Sequence, residues 1–113
     1  MTDFVSLHNQ TEFSLLDSLI TPKGLFQRAK ELGQTAVAVT DHGSLAATWD
    51  CFKASKESGV KLIIGCECYF VDDAKNVADK LRHVIFLAKN AVVYKNLLTI
   101  PLSRWVFPSP HEP

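Results

Sequence analysis

Ala36-Val37-Ala38-Val39-Thr40-Asp41-His42-Gly43 is the stretch on which the fold turns. Its first five residues show no polar alternation, the pattern of a parallel strand covered on both faces, and the run stops at a carboxylate, an imidazole and a glycine. Three other segments bring metal-ligand side-chain types to a strand boundary: Leu7-His8, Gly65-Cys66-Glu67 and Arg82-His83. A strand end is rigid and the loop after it is open, which is how α/β folds present reactive groups.

Upstream of that strand, Phe4 to His8 reads as a short extended run and Thr11 to Asp17 as a loop. Thr21-Pro22 marks a helix start, because Thr caps and Pro is tolerated at the first helical position; Leu25, Ala29 and Leu32 follow at helical spacing and Gly33 closes the helix. Downstream, Ser44 is positioned to cap a second helix with Leu45, Trp49 and Phe52 as its apolar stripe, with Lys53, Lys56 and Glu57 in water and Gly59 as the stop. A strand over Lys61 to Ile64 continues past Gly65 to Val71, Asp72 to Lys80 is a charged surface connection, Arg82 to Ala88 is another strand, and a last helix covers Val92 to Thr99. Alternating strands and helices predict right-handed β-α-β units and a parallel sheet. Residues 101–113 contain four of the five prolines and neither period, so an irregular Pro-rich tail is expected there.

With 113 residues, 47% of them hydrophobic, the chain makes at most one domain with a real core. Twelve basic and twelve acidic residues cancel, which excludes a broad field that would draw nucleic acid to this segment; contact with DNA must be local or through metal ions. No run approaches the roughly 18 apolar residues of a membrane span, no signal-like N-terminus is present, and a cytoplasmic setting is expected. Three cysteines, Cys51 in a helix and Cys66 and Cys68 flanking Glu67, suit reduced thiols. Zinc binding by the Cys-x-Cys pair competes with the plainer reading of buried strand thiols.

If the strands are parallel, His8, Asp41, His42 and Glu67 share one rim, while His83 starts its strand and needs another approach to the same pocket. Asp41-His42-Gly43 suits one ligand plus one orienting group, with capping of the helix near Ser44 as the structural alternative for Asp41. Glu67, in an apolar segment, requires compensation by a cation, by Lys61 or Arg82, or by a raised pKa. Mixed imidazole and carboxylate donors suit zinc, manganese or iron.

Residues 4–17, Phe4-Val5-Ser6-Leu7-His8-Asn9-Gln10-Thr11-Glu12-Phe13-Ser14-Leu15-Leu16-Asp17, resemble the opening motif of the PHP (polymerase and histidinol phosphatase) domain family. The stretches Ala36 to Gly43, Ile63 to Glu67 and His83 to Asn90, with Tyr94-Lys95-Asn96-Leu97-Leu98, are similar to its next motifs in order. The whole is similar to the N-terminal region of bacterial or phage DNA polymerase III alpha subunits. That resemblance implies a distorted seven-stranded β/α barrel, of which residues 1–100 are about the first half. It also implies up to three divalent metal ions on the rim, with metal-dependent phosphoester hydrolysis or 3′-to-5′ proofreading. The matching positions are His8, Asp17, His42, Glu67 and His83 as metal ligands, Asp41 behind them, and Asp41 and Glu67 as the catalytic carboxylates.

Two departures qualify what the resemblance implies. The first motif of the family reads His-x-His, whereas this chain has Gln10, and an amide is a poor transition-metal ligand. The later family ligands, an Asp-x-His pair among them, have no counterpart, and His111 is no substitute. The readings in view are therefore a metal-dependent phosphoesterase module of a replicative polymerase, inactive alone; a metal-depleted structural module bracing that polymerase; and, lower, a small-molecule phosphatase. The implied partners are DNA, reached through the parent polymerase, other polymerase domains and replisome subunits. Half a barrel leaves apolar faces uncovered, so self-association of the isolated chain is expected.

Overall fold

In the computed structural model, residues 2–72 and 80–106 are described, with side-chain surroundings to residue 100. The elements are α1 (Pro22–Glu31), β1 (Ala36–Val39), α2 (Thr48–Ser58), β2 (Lys61–Phe70), β3 (Arg82–Leu87) and α3 (Ala91–Val106). α1 starts as its sequence dictates: the Thr21 hydroxyl accepts from the Gly24 N–H at 3.0 Å, and Pro22 holds the first helical position. Past its C-cap Leu32, Gly33 takes φ 74°, a left-handed conformation that favours glycine.

All four residues of β1 are buried, and they pair in parallel with the first half of β2, from Ala36 opposite Lys61 to Val39 opposite Ile64. Phe26 and Ala29 of α1, Val37 and Val39 of β1, Ala47, Cys51, Ala54 and Val60 form one core. On the far side of β1 the N-terminal segment makes a single parallel bridge, Ser6 to Val37, where a strand over Phe4 to His8 was expected. The Asn9 carboxamide does much of the stitching, donating to the Ala38 carbonyl at 2.8 Å.

Four further expectations need correcting. α2 begins at Thr48, later than a Ser44 cap implies, and its N-cap Ala47 makes no side-chain bond; Ser44 Oγ accepts from Ala46 N at 3.1 Å in a local turn instead. The buried stripe is Ala47, Cys51 and Ala54, while Trp49 is 66% exposed and stacks on Phe52 outside. Small residues win the inner face because they let α2 approach α1 and the sheet closely, which two bulky aromatics would prevent.

The sheet order is β1-β2-β3, and β3 runs antiparallel to β2, from Gly65 opposite Leu87 to Phe70 opposite Arg82, rather than parallel. An antiparallel neighbour needs only a return connection and no crossover helix. Gly65 permits the pairing: a Cβ there would lie 2.7 Å from the Phe86 carbonyl oxygen. Finally, α3 runs through Pro101 to Val106, so the irregular stretch does not begin at Pro101. A proline removes one i→i−4 bond, here to the Leu97 carbonyl, and the remaining ladder carries the helix past it. Most of the Asp72 to Lys80 connection, residues 107–113 and His111 lie outside the described residues. Among the described residues no helix is long and apolar enough to cross a membrane.

Candidate functional site

β2 builds the site with its second half. Beyond the β1 ladder, Glu67 N donates to Asp41 O at 3.0 Å and Gly43 N donates to Glu67 O at 2.9 Å, so Glu67 and His42 are bridged backbone to backbone. Gly43 has φ 59°, which lets the chain turn away directly after His42. Because β3 is antiparallel, its first residues lie beside the last of β2; Tyr69 opposes His83 and brings that imidazole to the same rim. The different approach expected for His83 is thereby supplied by strand direction.

The Glu67 side chain, 6% exposed, is the hub. Oε2 lies 2.9 Å from His42 Nε2 and accepts from Gln10 Nε2 at 2.7 Å. Oε1 lies 3.5 Å from His8 Nε2 and 3.7 Å from His83 Nδ1. His42 turns its other nitrogen, Nδ1, toward Asp17 Oδ2 at 3.8 Å, and Tyr69 packs its ring 5.1 Å from that of His83. The structure thus brings His8, Asp17, His42, Glu67 and His83 together. Neither Lys61 nor Arg82 compensates Glu67: Arg82 pairs with Asp72 at 2.8 Å, and imidazoles and an amide face the carboxylate.

Asp41, 2% exposed, sits behind this cluster and does not cap α2. Oδ1 accepts from Thr11 N at 2.6 Å and Ser14 Oγ at 2.8 Å, and Oδ2 from Thr11 Oγ1 at 2.8 Å. Ser14 Oγ in turn accepts from His42 N at 3.1 Å. The carboxylate therefore clamps the loop that delivers Asp17 and reaches His42 through one hydroxyl. Within that loop Leu16 adopts φ 68°, a strained choice for a leucine, and is fully exposed.

Thr11 and Ser14 are the functional neighbours that sequence reasoning missed, and Gln10, read there only as a missing imidazole, is a hydrogen-bond donor to Glu67. In an extended chain residues two apart face the same side, so His8 and Gln10 belong together. The hydroxyls of Thr11 and Ser14, three apart in a turn, were the available signal for a buried acceptor. The cysteines are not part of the cluster. Burial pushes the Cys66 thiol up to about 12, with Cys68 adding to the rise, and Cys66 Sγ donates weakly to the Asp41 carbonyl at 3.6 Å. A thiol held protonated is a poor zinc ligand.

In kind, the donors suit a divalent cation: three imidazoles and two carboxylates. The separations of 3.5 and 3.7 Å at Glu67 Oε1 approach the edge of about 3.4 Å between ligands in a tetrahedral site with bonds of about 2.1 Å. In pose, no three His, Cys, Asp or Glu side chains among the described residues surround a common point as a ready metal shell.

Residues 6–101 match the PHP domain family. The chain is 40% identical over 109 residues to the DNA polymerase III subunit alpha of Aquifex aeolicus, covering 87% of this chain and 9% of that protein. It is 35% identical over 109 residues to the same subunit of Treponema pallidum, covering 91% and 9%. The chain thus spans about a tenth of the length of these curated relatives. Among solved structures, a Bifidobacterium adolescentis protein assigned as a metal-dependent phosphoesterase superposes with TM-score 0.64 at 27% identity, over 90% of this chain and 34% of that one. An amidohydrolase from Chromobacterium violaceum shares the fold with TM-score 0.61 at 21% identity, over 88% and 34%. The ordered motifs, the convergence on Glu67 and these likenesses agree: the chain belongs to the PHP domain family and resembles the N-terminal region of DNA polymerase III alpha subunits.

Proposed function

We propose that this chain is the N-terminal part of the PHP domain of a replicative DNA polymerase alpha subunit, and that its rim binds divalent cations for phosphoester chemistry. The observation that carries the reading is the convergence of His8, His42 and His83 on the two oxygens of one nearly buried carboxylate, Glu67. Burying a carboxylate in an apolar segment is costly unless it is compensated, and the three imidazoles gathered on Glu67 are donors that a divalent cation also takes. His8, Asp17, His42, Glu67 and His83 would hold zinc, manganese or iron. Bound ions supply a Lewis acid and an activated water at a phosphoester.

The chain's own residues perform the positioning. The two backbone bonds at Glu67 fix where its carboxylate emerges, and Asp41 holds the loop so that Asp17 faces His42. His8 and His83 are half exposed, so the rim is open to a polymer phosphate, and the neutral net charge leaves attraction to the cations. DNA, other polymerase domains and replisome subunits are the partners, in the cytoplasm, and nucleotide polymerisation resides in other parts of a polypeptide of the relatives' length.

Elemental analysis after loading with manganese and desalting tests the reading. The wild type retains metal, and the His8→Ala, Glu67→Ala double variant loses it; equal contents overturn the assignment. A second reading, a metal-depleted module that braces the polymerase, is favoured by one observation, the hydrogen bond from Gln10 to Glu67.

A further inference from the structure

Gln10 occupies an unusual place for a side chain at a carboxylate-histidine centre. One nitrogen, Nε2, lies 2.7 Å from Glu67 Oε2 and 3.0 Å from His8 Nε2. Chemistry fixes which end of the carboxamide is which, because its oxygen at that distance from a carboxylate would set two acceptors against each other. An amide NH2 carries two hydrogens, so with one directed to Glu67 Oε2 the other is available to His8 Nε2 in the tautomer that accepts there. A single atom with partial positive charge on both hydrogens thus bridges a carboxylate oxygen and an imidazole nitrogen, the role a shared cation plays.

We propose that the Gln10 carboxamide is a built-in competitor for one cation position, closing the corner between His8 and Glu67 Oε2. The metal side of this claim rests on the reading above; the metal-free side does not. The two oxygens of Glu67 are then unequal. Oε2 is held by Gln10 and His42 at hydrogen-bond distance, whereas Oε1 faces His8 and His83 only at 3.5 and 3.7 Å. The amide keeps the buried carboxylate satisfied without metal, and a cation entering at His8 must first displace a hydrogen bond to a charged acceptor.

The test compares the 113-residue wild type with Gln10→Ala and Gln10→His, in chelator and with manganese alone, by thermal melting and titration calorimetry. In chelator Gln10→Ala melts below the wild type, because Glu67 loses its shortest partner. With manganese the order of affinity reverses: Gln10→Ala binds about tenfold tighter or better, since the competitor is gone. Gln10→His binds one more ion per chain than the wild type. A merely structural role for Gln10 would lower stability and affinity together.

If Gln10→Ala does not fold, Gln10→His carries the stoichiometry comparison alone. Equal melting in chelator, or manganese binding by Gln10→Ala no tighter than by a wild type that does bind, overturns this proposal and leaves the metal reading standing. Binding by the Gln10 variants but not by the wild type supports it in its strongest form. Absence of manganese from all three overturns both.

Discussion

Two buried carboxylates lie on either side of the β1 to His42 turn, and they are satisfied in opposite ways. Asp41 is 2% exposed and takes its three hydrogen bonds from a backbone N–H and two hydroxyls of one loop; Glu67 is 6% exposed and faces three imidazoles and an amide. Donors of the first kind have no other chemistry to offer, whereas imidazoles can give up the carboxylate for a cation. Burial alone therefore does not mark a functional carboxylate. What distinguishes the two is whether the partners are exchangeable.

Matched amide substitutions probe that difference most severely. Asp41→Asn removes the charge on which three donors converge and replaces one acceptor oxygen by an NH2, so the Thr11 hydroxyl must turn from donating to accepting. The expected loss is about 2–3 kcal/mol, with the loop from Thr11 to Asp17 loosened. Urea denaturation with hydrogen exchange across that loop measures it, and a loss below about 0.5 kcal/mol would dissolve the contrast. His42 remains bridged to β2 by backbone, so the damage should begin in the loop and not in the sheet.

Glu67→Gln is the second arm and the smaller effect on stability, about 1 kcal/mol or less. Removing a nearly buried charge offsets the weakened contacts to His42 and Gln10. Manganese binding is lost all the same, because a neutral amide replaces the carboxylate that every histidine of the cluster faces. A stability loss equal to that of Asp41→Asn, with metal content retained, would reverse the roles assigned to the two carboxylates.

The sequence was most informative where one local rule sufficed. The unbroken apolar run at Ala36 to Thr40 fits one buried strand, and Thr21-Pro22 and Gly33 bound one helix, because capping and burial act within a few residues. The four segments at strand boundaries pointed to the residues that now surround Glu67. The parts left dark depended on distance. Asp41 finds its partners some thirty positions upstream, and the direction of β3 follows from how the chain returns along β2, which no strand pattern encodes. For α2 the pattern misled, since Trp49 and Phe52 make a convincing apolar stripe and only close packing against α1 decides for Cys51 and Ala54. Gln10 was legible as a missing imidazole, but its positive role required knowing that Glu67 lies within reach of its amide.

Cys51 extends the comparison, since its thiol lies on the Asp41 side of the sheet and is completely buried. Burial, then the Asp41 charge, then the Asp50 charge push it from 9.0 up to about 12. The sign follows from proton binding: between those values the unfolded chain releases a proton that the folded chain retains. The stabilisation is complete below pH 9 and disappears as pH rises toward 12. Cys66, raised to the same value, adds a second contribution of the same sign. Urea midpoints at pH 8, 9 and 10 should therefore hold steady and then fall, by roughly 1 kcal/mol per unit for each thiol at most. Cys51→Ala should make the fall shallower. Asp41→Asn should do the same by a smaller amount, because it removes the second of the three causes, whereas Glu67→Gln should leave the Cys51 contribution in place. An alkaline slope that responds to Glu67→Gln as strongly as to Asp41→Asn would mean that the two carboxylates share one electrostatic environment, and the division drawn between them would be wrong.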